Sequence, residues 1–309
     1  MRPVFFLDPV PPFRLELAVW TLRRHATNAL DRWDGTTYRR VLPVAGQWVE
    51  VAVTQTGPPE APRLRVAVEG AALEAEGRSV VSAMLERLLG LKIDLAPFYR
   101  LAREDEPLHR LAARFRGMKP PRFATLFESI VVGICSQQVS LTVGVLLLNR
   151  LTASYGPALP GPEGKAHGFP LPEALAGSSP EALRGLGFSH QKGRALVELA
   201  RAFAGQEHGL TLEAVEPLSD EAAIERLRTL RGVGPWTAEY VLLRGLGRVH
   251  LFPTGDAGAL NGLKKWLGLE TTPDDAAARR LLEPRRPYAG LIYFHLLLEH
   301  LSQQRLLAT

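Results

Sequence analysis

The sequence predicts an α+β protein, in which a small unit of strands and helices is followed by a larger helical bundle. Segments with strand composition occur in the first 90 residues. From Leu91 onward, apolar residues recur at helical spacing almost throughout. The chain has 309 residues, 46% hydrophobic and 22% charged, which is sufficient for two domains. We place these domains at residues 1–90 and 91–309.

The first domain is predicted to contain one sheet packed against helices. Residues 38–44, 48–54 and 64–69 have the composition of strands. The last two of these alternate, as in a sheet with one buried face. Apolar residues at helical spacing predict helices over residues 15–22 and 80–89. No constellation of catalytic side chains is present in this domain.

The helical domain contains one interruption within its most apolar segment. Residues 123–155 are mainly apolar, but the polar run Ser136–Ser140 lies in their middle. We interpret this run as a helix break in which Ser and Gln side chains cap the next turn. The Gly- and Pro-rich residues 156–172 are predicted to form a surface loop.

A glycine hairpin between two helices organises the second domain. Leu227 and Leu230 close the first helix, and Gly232 and Gly234 allow the chain to reverse tightly. Pro235 suits the first position of the next helix. The resulting helix N-terminus offers free backbone N–H groups, which bind phosphate well. Any tight connection between antiparallel helices can use two glycines, so the hairpin alone does not single out nucleic acid.

The charge and the cysteine content limit the classes of protein to which this chain can belong. With 37 Lys and Arg against 32 Asp and Glu, the net charge is +5, which is compatible with a DNA partner. The single cysteine, Cys135, excludes an intramolecular disulfide and an iron–sulfur cluster, which needs about four cysteines. We expect a buried, inert thiol. The absence of a signal peptide and of an apolar span predicts a cytoplasmic protein with no membrane association.

The residues after the hairpin carry a family resemblance. Trp236 and Tyr240 lie four apart on one helix face, and the following loop ends in Phe252-Pro253-Thr254-Gly255-Asp256. This string resembles the AlkA-type 3-methyladenine DNA glycosylases of the helix-hairpin-helix (HhH-GPD) superfamily, and the resemblance extends over nearly the whole chain. It implies a TBP-like mixed α/β domain and a bundle of two lobes, the first formed by residues 123–248 and the second by residues 91–122 with 249–309. For the α/β domain it implies a structural or lesion-access role.

The resemblance implies a DNA glycosylase that removes alkylated bases, such as 3-methyladenine and 7-methylguanine, from double-stranded DNA in base excision repair. Asp256 corresponds to the catalytic aspartate, although an Asp before a helix is also an ordinary N-cap. A fixed carboxylate beneath the sugar stabilises the positive charge that develops as the base departs. Trp236 stands where bifunctional relatives have a nucleophilic lysine, so we expect a monofunctional enzyme without lyase activity. We also expect a monomer.

The resemblance also assigns a pocket for the flipped base. Trp236 and Tyr240 offer electron-rich faces to a cationic base, although ordinary helix packing would explain them equally well. Arg285 and Tyr288 are placed in the same pocket. Arg285 and Ala257 stand where relatives carry aromatic residues, so we expect a wider pocket with a broader range of lesions.

The remaining assignments concern DNA contacts and a cation. Backbone groups of Gly232 and Gly234, together with Thr237, are expected to hold phosphate. The loop containing Gln137 and Gln138 is expected to face the gap left by the flipped nucleotide, with Gln138 as a polar wedge. In relatives, hairpin carbonyls hold a structural Na⁺ or K⁺, which points to the carbonyls of Leu230 and Val233. No other cofactor is expected.

Two alternatives remain open at this point. The chain could be a non-catalytic DNA-binding protein that uses the same hairpin, in which case Asp256, Trp236 and Tyr240 would not be needed. It could also be a glycosylase for a different damaged base, such as oxidised guanine or uracil. Neither alternative is excluded by the residues alone.

Overall fold

The computed structural model describes residues 3–70, 73–161, 164–205 and 211–307, and every structural statement below refers to these ranges. The first half of the chain contains, in order, β1 Val4–Leu7, α1 Leu15–Arg23, β2 Arg32–Trp33, β3 Thr37–Val44, β4 Gln47–Gln55, β5 Leu64–Glu69, α2 Ala75–Leu89, α3 Ala96–Arg103, α4 Glu106–Arg114, α5 Leu126–Ser136 and α6 Leu141–Tyr155. The second half contains β6 Ala158–Gly161, β7 Gly164–His167, α7 Pro172–Ala176, α8 Pro180–Gly185, α9 His190–Ala204, α10 Leu212–Val215, α11 Asp220–Arg228, α12 Pro235–Arg244, α13 Ala257–Leu267, α14 Asp275–Leu282 and α15 Ala289–Gln303.

The amino-terminal sheet has five antiparallel strands in the order β1-β5-β4-β3-β2. The three strands predicted from composition correspond to β3, β4 and β5, so that prediction is confirmed. The short edge strands β1 and β2 were not predicted, because four and two residues are too few to show a period of two.

The prediction of a sheet with only one buried face is wrong for its central strand. In β4, Val51 and Val53 are buried on one side, but Glu50 and Ala52 are also buried on the other. Glu50 accepts a hydrogen bond from Arg32, which satisfies one oxygen of a carboxylate removed from water. Both faces of the strand are therefore covered.

The segment predicted as a surface loop contains a small hairpin. Strands β6 and β7 pair antiparallel, from Ala158 opposite His167 to Gly161 opposite Gly164, and they contact β3 and β4 of the main sheet. The many Gly and Pro residues of this segment hid the strands from a composition-based prediction. Residues 162 and 163 lie outside the described ranges.

Two buried clusters form the interior. The first joins the sheet and α2 to the central helices α5, α6, α9 and α12. The second joins Leu17 and Trp20 of α1 to the helices α3, α4, α13, α14 and α15. Helix α2 ends at Gly90, where the backbone is left-handed, but the first cluster continues across this position. Among the described helices, none has the length and apolar character needed to cross a bilayer.

A buried ionic network fixes the sheet to the helical bundle. Arg40 of β3 forms two ion pairs at 2.6 Å, one with Asp31, which precedes β2, and one with Glu128 of α5. Tyr38 also donates a hydrogen bond to Asp31, at 2.8 Å. Burial alone would lower the pKa of Arg40, but the charges of Asp31 and Glu128 outweigh it and hold that pKa well above its ordinary value. The guanidinium therefore stays charged and links the two parts of the chain.

Candidate active site

A cleft of about 1720 Å³ lies between the helices of the two buried clusters. Residues of the α5–α6 turn, α9 and the α11–α12 hairpin line it, and so do residues of α4, α13 and α15. The segments that the sequence singled out, the polar break, the glycine hairpin and the Asp256 loop, thus meet around one space.

The hairpin forms a tight turn with an open helix N-terminus. Gly232 has φ +79°, and a Cβ there would lie 2.8 Å from the Cβ of Ala195 on α9, so only glycine fits without a shift. Gly234 is the N-cap of α12, and a Cβ at this position would meet no atom within 4 Å. With Pro235 as the first helical residue, the free N–H groups of α12 face the cleft without obstruction.

Gln137 and Thr237 hold the hairpin through their side chains. The Gln137 amide donates hydrogen bonds to the Gly232 carbonyl at 2.7 Å and to Oγ1 of the buried Thr237 at 2.8 Å. Both residues also line the cleft, and their contact with DNA stays a prediction. Gln138 is exposed on the cleft at φ +52°, and its role as a wedge stays a prediction.

Lys192 supports the same turn from α9. Its Nζ donates hydrogen bonds to the carbonyls of Gln137 at 2.7 Å and Cys135 at 3.3 Å, at the C-terminal end of α5. Partial burial lowers the pKa of this lysine. Cys135 itself is buried, as predicted, and burial raises the pKa of its thiol to about 12, which disfavours the reactive thiolate.

Asp256 caps α13 and faces the cleft. Its Oδ1 accepts a hydrogen bond from the Ala259 N–H at 3.0 Å, and its Oδ2 accepts one from the Tyr293 hydroxyl at 2.9 Å. The N-cap interpretation is thus correct, and the capped carboxylate also lies within the cleft. Burial and the charge of Asp256 together raise the pKa of Tyr293 well above its ordinary value, so the phenol stays a hydrogen-bond donor.

A buried acid positions the loop that carries Asp256. Glu239 of α12 accepts hydrogen bonds from the Thr254 N–H at 2.8 Å and from its hydroxyl at 3.0 Å. Arg279 of α14 contacts Glu239 at 2.7 Å and the Thr254 hydroxyl at 2.8 Å. The sequence analysis did not identify Glu239, although a carboxylate between Ala238 and Tyr240, directly before the apolar run Val241–Leu243, is an available signal.

Trp236 and Tyr240 form the aromatic wall that the sequence predicted. Their ring centroids are 5.2 Å apart with an interplanar angle of 30°, and both residues line the cleft. Trp236 is partly exposed, whereas Tyr240 is buried behind it. Trp236 Nε1 and the Tyr240 hydroxyl are buried polar groups with no hydrogen-bond partner in the described part of the chain.

The placement of Arg285 and Tyr288 in the pocket is wrong. Arg285 is turned away by a single 3₁₀ turn, forms an ion pair with Asp105 at 2.7 Å and lies 5.1 Å from the ring of Trp266. Tyr288 packs edge-on against Phe98, and neither residue lines the cleft.

Two aromatic residues that the sequence did not assign, Trp266 of α13 and Tyr293 of α15, line the cleft instead. The expectation of a wider pocket rested on missing aromatic walls at Ala257 and Arg285. Trp266 and Tyr293 add aromatic side chains to the cleft from other positions, and the breadth of the lesion range stays a prediction.

The cation predicted at the hairpin stays a prediction. The Leu230 carbonyl accepts the Val233 N–H at 3.1 Å, which is the hydrogen bond of the turn itself. A carbonyl oxygen has two lone pairs, so this bond leaves one for a cation, and the turn is compatible with the expected group. No cluster of three or more His, Cys, Asp or Glu that could hold a metal exists among the described residues.

Comparisons with known proteins agree on one family. Residues 131–287, just over half of the chain, match the model of the HhH-GPD superfamily base excision DNA repair proteins. A DNA-3-methyladenine glycosylase of Bacillus subtilis is 27% identical over 219 residues, covering 71% of this chain and 72% of that protein. DNA-3-methyladenine glycosylase 2 of Escherichia coli is 33% identical over 190 residues, covering 61% of this chain and 63% of that protein.

Solved structures show the same architecture over almost the full length. The 3-methyladenine DNA-glycosylase from Archaeoglobus fulgidus superposes with a TM-score of 0.81 at 26% identity, covering 95% of this chain and 97% of that one. An 8-oxoguanine glycosylase/lyase of Clostridium acetobutylicum in complex with double-stranded DNA has a TM-score of 0.71 at 17% identity, a similarity of fold alone. The predicted α+β architecture is confirmed by these similarities.

Proposed function

This chain belongs to the HhH-GPD superfamily of base excision DNA repair proteins, and on that basis we propose that it is a DNA glycosylase of alkylated bases. The observation that carries the proposal is a carboxylate, Asp256, held by two hydrogen bonds in the cleft that Trp236 and Tyr240 also line. A protein that only bound DNA would gain no affinity from an acid beside a strand of negative phosphates, and a neutral Ser or Thr would cap α13 as well.

The reaction follows from the charge that Asp256 brings to the cleft. As the bond between the base and the deoxyribose breaks, positive charge develops on the sugar. The ionised carboxylate stabilises this oxocarbenium-like state and orients or deprotonates the attacking water. Because both oxygens of Asp256 already accept hydrogen bonds from the protein, the carboxylate needs little rearrangement when this charge appears.

The base must leave the duplex to reach the cleft, and damaged bases do so at lower cost. An alkylated purine that is already cationic departs without a general acid, so one carboxylate is sufficient. The face of Trp236, backed by Tyr240, attracts such a cationic ring. Tryptophan cannot form a Schiff base, and we therefore propose hydrolysis without strand cleavage.

The strand is held through the backbone of the hairpin. The open N-terminus of α12 at Gly234 presents N–H groups and a positive helix end to a phosphate. The exposed Gln138 at the α5–α6 turn is proposed to fill the gap that the flipped nucleotide leaves. Such contacts carry no sequence information, which suits an enzyme that must work on any DNA.

The hydrogen bond from Tyr293 to Asp256 predicts a positioning role for the tyrosine. In Tyr293→Phe, we expect the rate of base release to fall about tenfold, because hydrogen bonds to charged groups contribute roughly 1.5–3 kcal/mol. The affinity for the same duplex should stay at the wild-type value, since Tyr293 acts on the reaction through Asp256. Tyr288→Phe, outside the cleft, is the matched control and should release bases at the wild-type rate. A wild-type rate of base release in Tyr293→Phe would remove the assigned role.

The proposed function is tested by identifying free bases. Double-stranded DNA treated with dimethyl sulfate is incubated with the protein, and the released bases are identified by mass spectrometry. We expect methylated purines and an intact abasic strand. Binding of this DNA with no released base would favour the non-catalytic alternative. Release of uracil or oxidised guanine from matched duplexes, without release of methylated purines, would identify a glycosylase for a different lesion.

A further inference from the structure

A largely buried cation from the amino-terminal part of the chain lines the cleft. Arg24 directly follows α1, and it lines the cleft together with Trp236, Asp256 and Tyr293. Only 6% of Arg24 is exposed. Its positive charge acts to lower the pKa of Tyr293, against the larger effects of burial and Asp256.

Arg24 has no counterion. No carboxylate of the described residues lies within ion-pair distance of it, and its Nε is buried without a hydrogen-bond partner. Its Nη1 is 3.4 Å from the Ser136 hydroxyl, a long contact with a neutral group. A guanidinium that is largely buried, with no acid and an unpartnered Nε, is costly for the folded state, because much of its hydration is lost without replacement.

The backbone of Arg24 is also strained. It has φ +62° in the left-handed region, where it ends α1 by donating its N–H to the Trp20 carbonyl at 2.9 Å. Glycine or asparagine ends a helix in this conformation with less strain and without a charge. A helix cap therefore does not explain why an arginine stands here. The unpaired charge and the strained backbone both destabilise the folded state, and their occurrence at one residue of the cleft indicates a function.

A second buried cation adds to the positive charge behind the aromatic wall. Arg244 is fully buried among the rings of Phe123, Tyr240 and Phe294, and it donates a hydrogen bond to the Thr21 carbonyl at 2.8 Å. Burial lowers the pKa of Arg244, and the nearby charge of Arg24 contributes to this lowering. Within the described ranges neither arginine has an acidic partner, so this side of the cleft attracts electron-rich groups of a ligand.

The chemistry of a guanidinium decides which bases it recognises. Arginine has only donors, and in DNA recognition it pairs with the O6 and N7 acceptors of guanine. A guanine methylated at N7 keeps its O6 carbonyl as an acceptor. An adenine carries an amino group at the same position, which is a donor and does not pair with arginine.

We propose that Arg24 is a specificity-determining residue that donates a hydrogen bond to the exocyclic carbonyl oxygen of the flipped base. The ratio of alkylated guanines to alkylated adenines that the protein releases is then higher than it would be without this arginine. This inference rests on the proposed glycosylase function and concerns the base that the same cleft accepts. It involves no covalent step, because Arg24 only donates a hydrogen bond.

The test compares two lesions in one reaction. DNA treated with dimethyl sulfate contains both 7-methylguanine and 3-methyladenine, and the release of each is followed by mass spectrometry with wild-type protein and Arg24→Asn. Asparagine tolerates the left-handed backbone, so the cap of α1 is retained. We expect 7-methylguanine release to fall about tenfold, as for the loss of a hydrogen bond to a charged group, with 3-methyladenine release unchanged or faster. Arg24→Lys keeps the charge but loses the planar guanidinium, so its rate of 7-methylguanine release should lie between those of wild-type protein and Arg24→Asn.

Matched measurements separate the outcomes. Arg114 also lines the cleft but is ion-paired with Glu299 at 2.6 Å, and Arg114→Asn should leave the ratio of the two released bases unchanged. If wild-type protein releases neither base, the proposed function itself fails. If it releases both, and both Arg24→Asn and Arg24→Lys keep the wild-type ratio, the glycosylase proposal stands and the role of Arg24 is overturned.

Discussion

Replacing Asp256 by asparagine is expected to lower the rate of base release by on the order of 10³-fold, the scale on which single groups that stabilise transition-state charge act. The variant removes one negative charge and little else. Asparagine is as good an N-cap as aspartate: its amide oxygen can still accept the hydrogen bond that the Ala259 N–H donates, and its NH2 group can donate to the Tyr293 hydroxyl oxygen. The folded structure and the loop before α13 should therefore persist.

The measurement is single-turnover release of a methylated purine, accompanied by the affinity for the same duplex. Affinity should be unchanged or higher, because a negative charge near the phosphates has been removed. Asp274→Asn is the matched control, since Asp274 caps α14 in the same way but lies outside the cleft. Release at the wild-type rate in Asp256→Asn would contradict the proposed role.

The second large effect is on stability. Glu128→Gln should lower the free energy of unfolding by about 3–5 kcal/mol, because it leaves the buried Arg40 with one acid instead of two. The side chains of Arg40 and Glu128 are 1% and 2% exposed, so solvent screens their interaction little. Since this contact joins β3 to α5, unfolding should begin where the sheet meets the bundle.

Urea unfolding followed by circular dichroism measures this loss. Glu198→Gln provides the control, because Glu198 pairs with Arg194 and Arg231 on the surface, where such contacts contribute at most about 1 kcal/mol. Equal, small losses in both variants would show that the buried network does not hold the two parts of the chain together.

Features with local signals could be predicted from the sequence. The glycine hairpin, the helix spacing of Trp236 and Tyr240, and the acid before α13 are all encoded within 30 consecutive residues, and the structure brings them to one cleft. Strands β3 to β5 were predicted because each is long enough to show a pattern.

The remainder of the site depends on contacts between distant residues. Tyr293 reaches Asp256 across 37 positions, and Arg24 reaches Ser136 across 112. Neither contact produces a periodic pattern in the sequence, because each forms only when separate helices pack together. Arg285 was misplaced for a related reason, since the 3₁₀ turn Glu283–Arg285 directs its side chain toward Asp105, and no residue-by-residue comparison shows that rotation.

The central claim is that Asp256 stabilises positive charge on a sugar whose base has left the helix. It is tested most directly by the affinity for two duplexes, one with a protonated pyrrolidine and one with a neutral tetrahydrofuran in place of the abasic sugar. We expect wild-type protein to bind the cationic analogue at least about tenfold more tightly and Asp256→Asn to lose that preference, as for an interaction of about 1.4 kcal/mol or more between close charges. Equal affinity of wild-type protein for both duplexes would contradict the account.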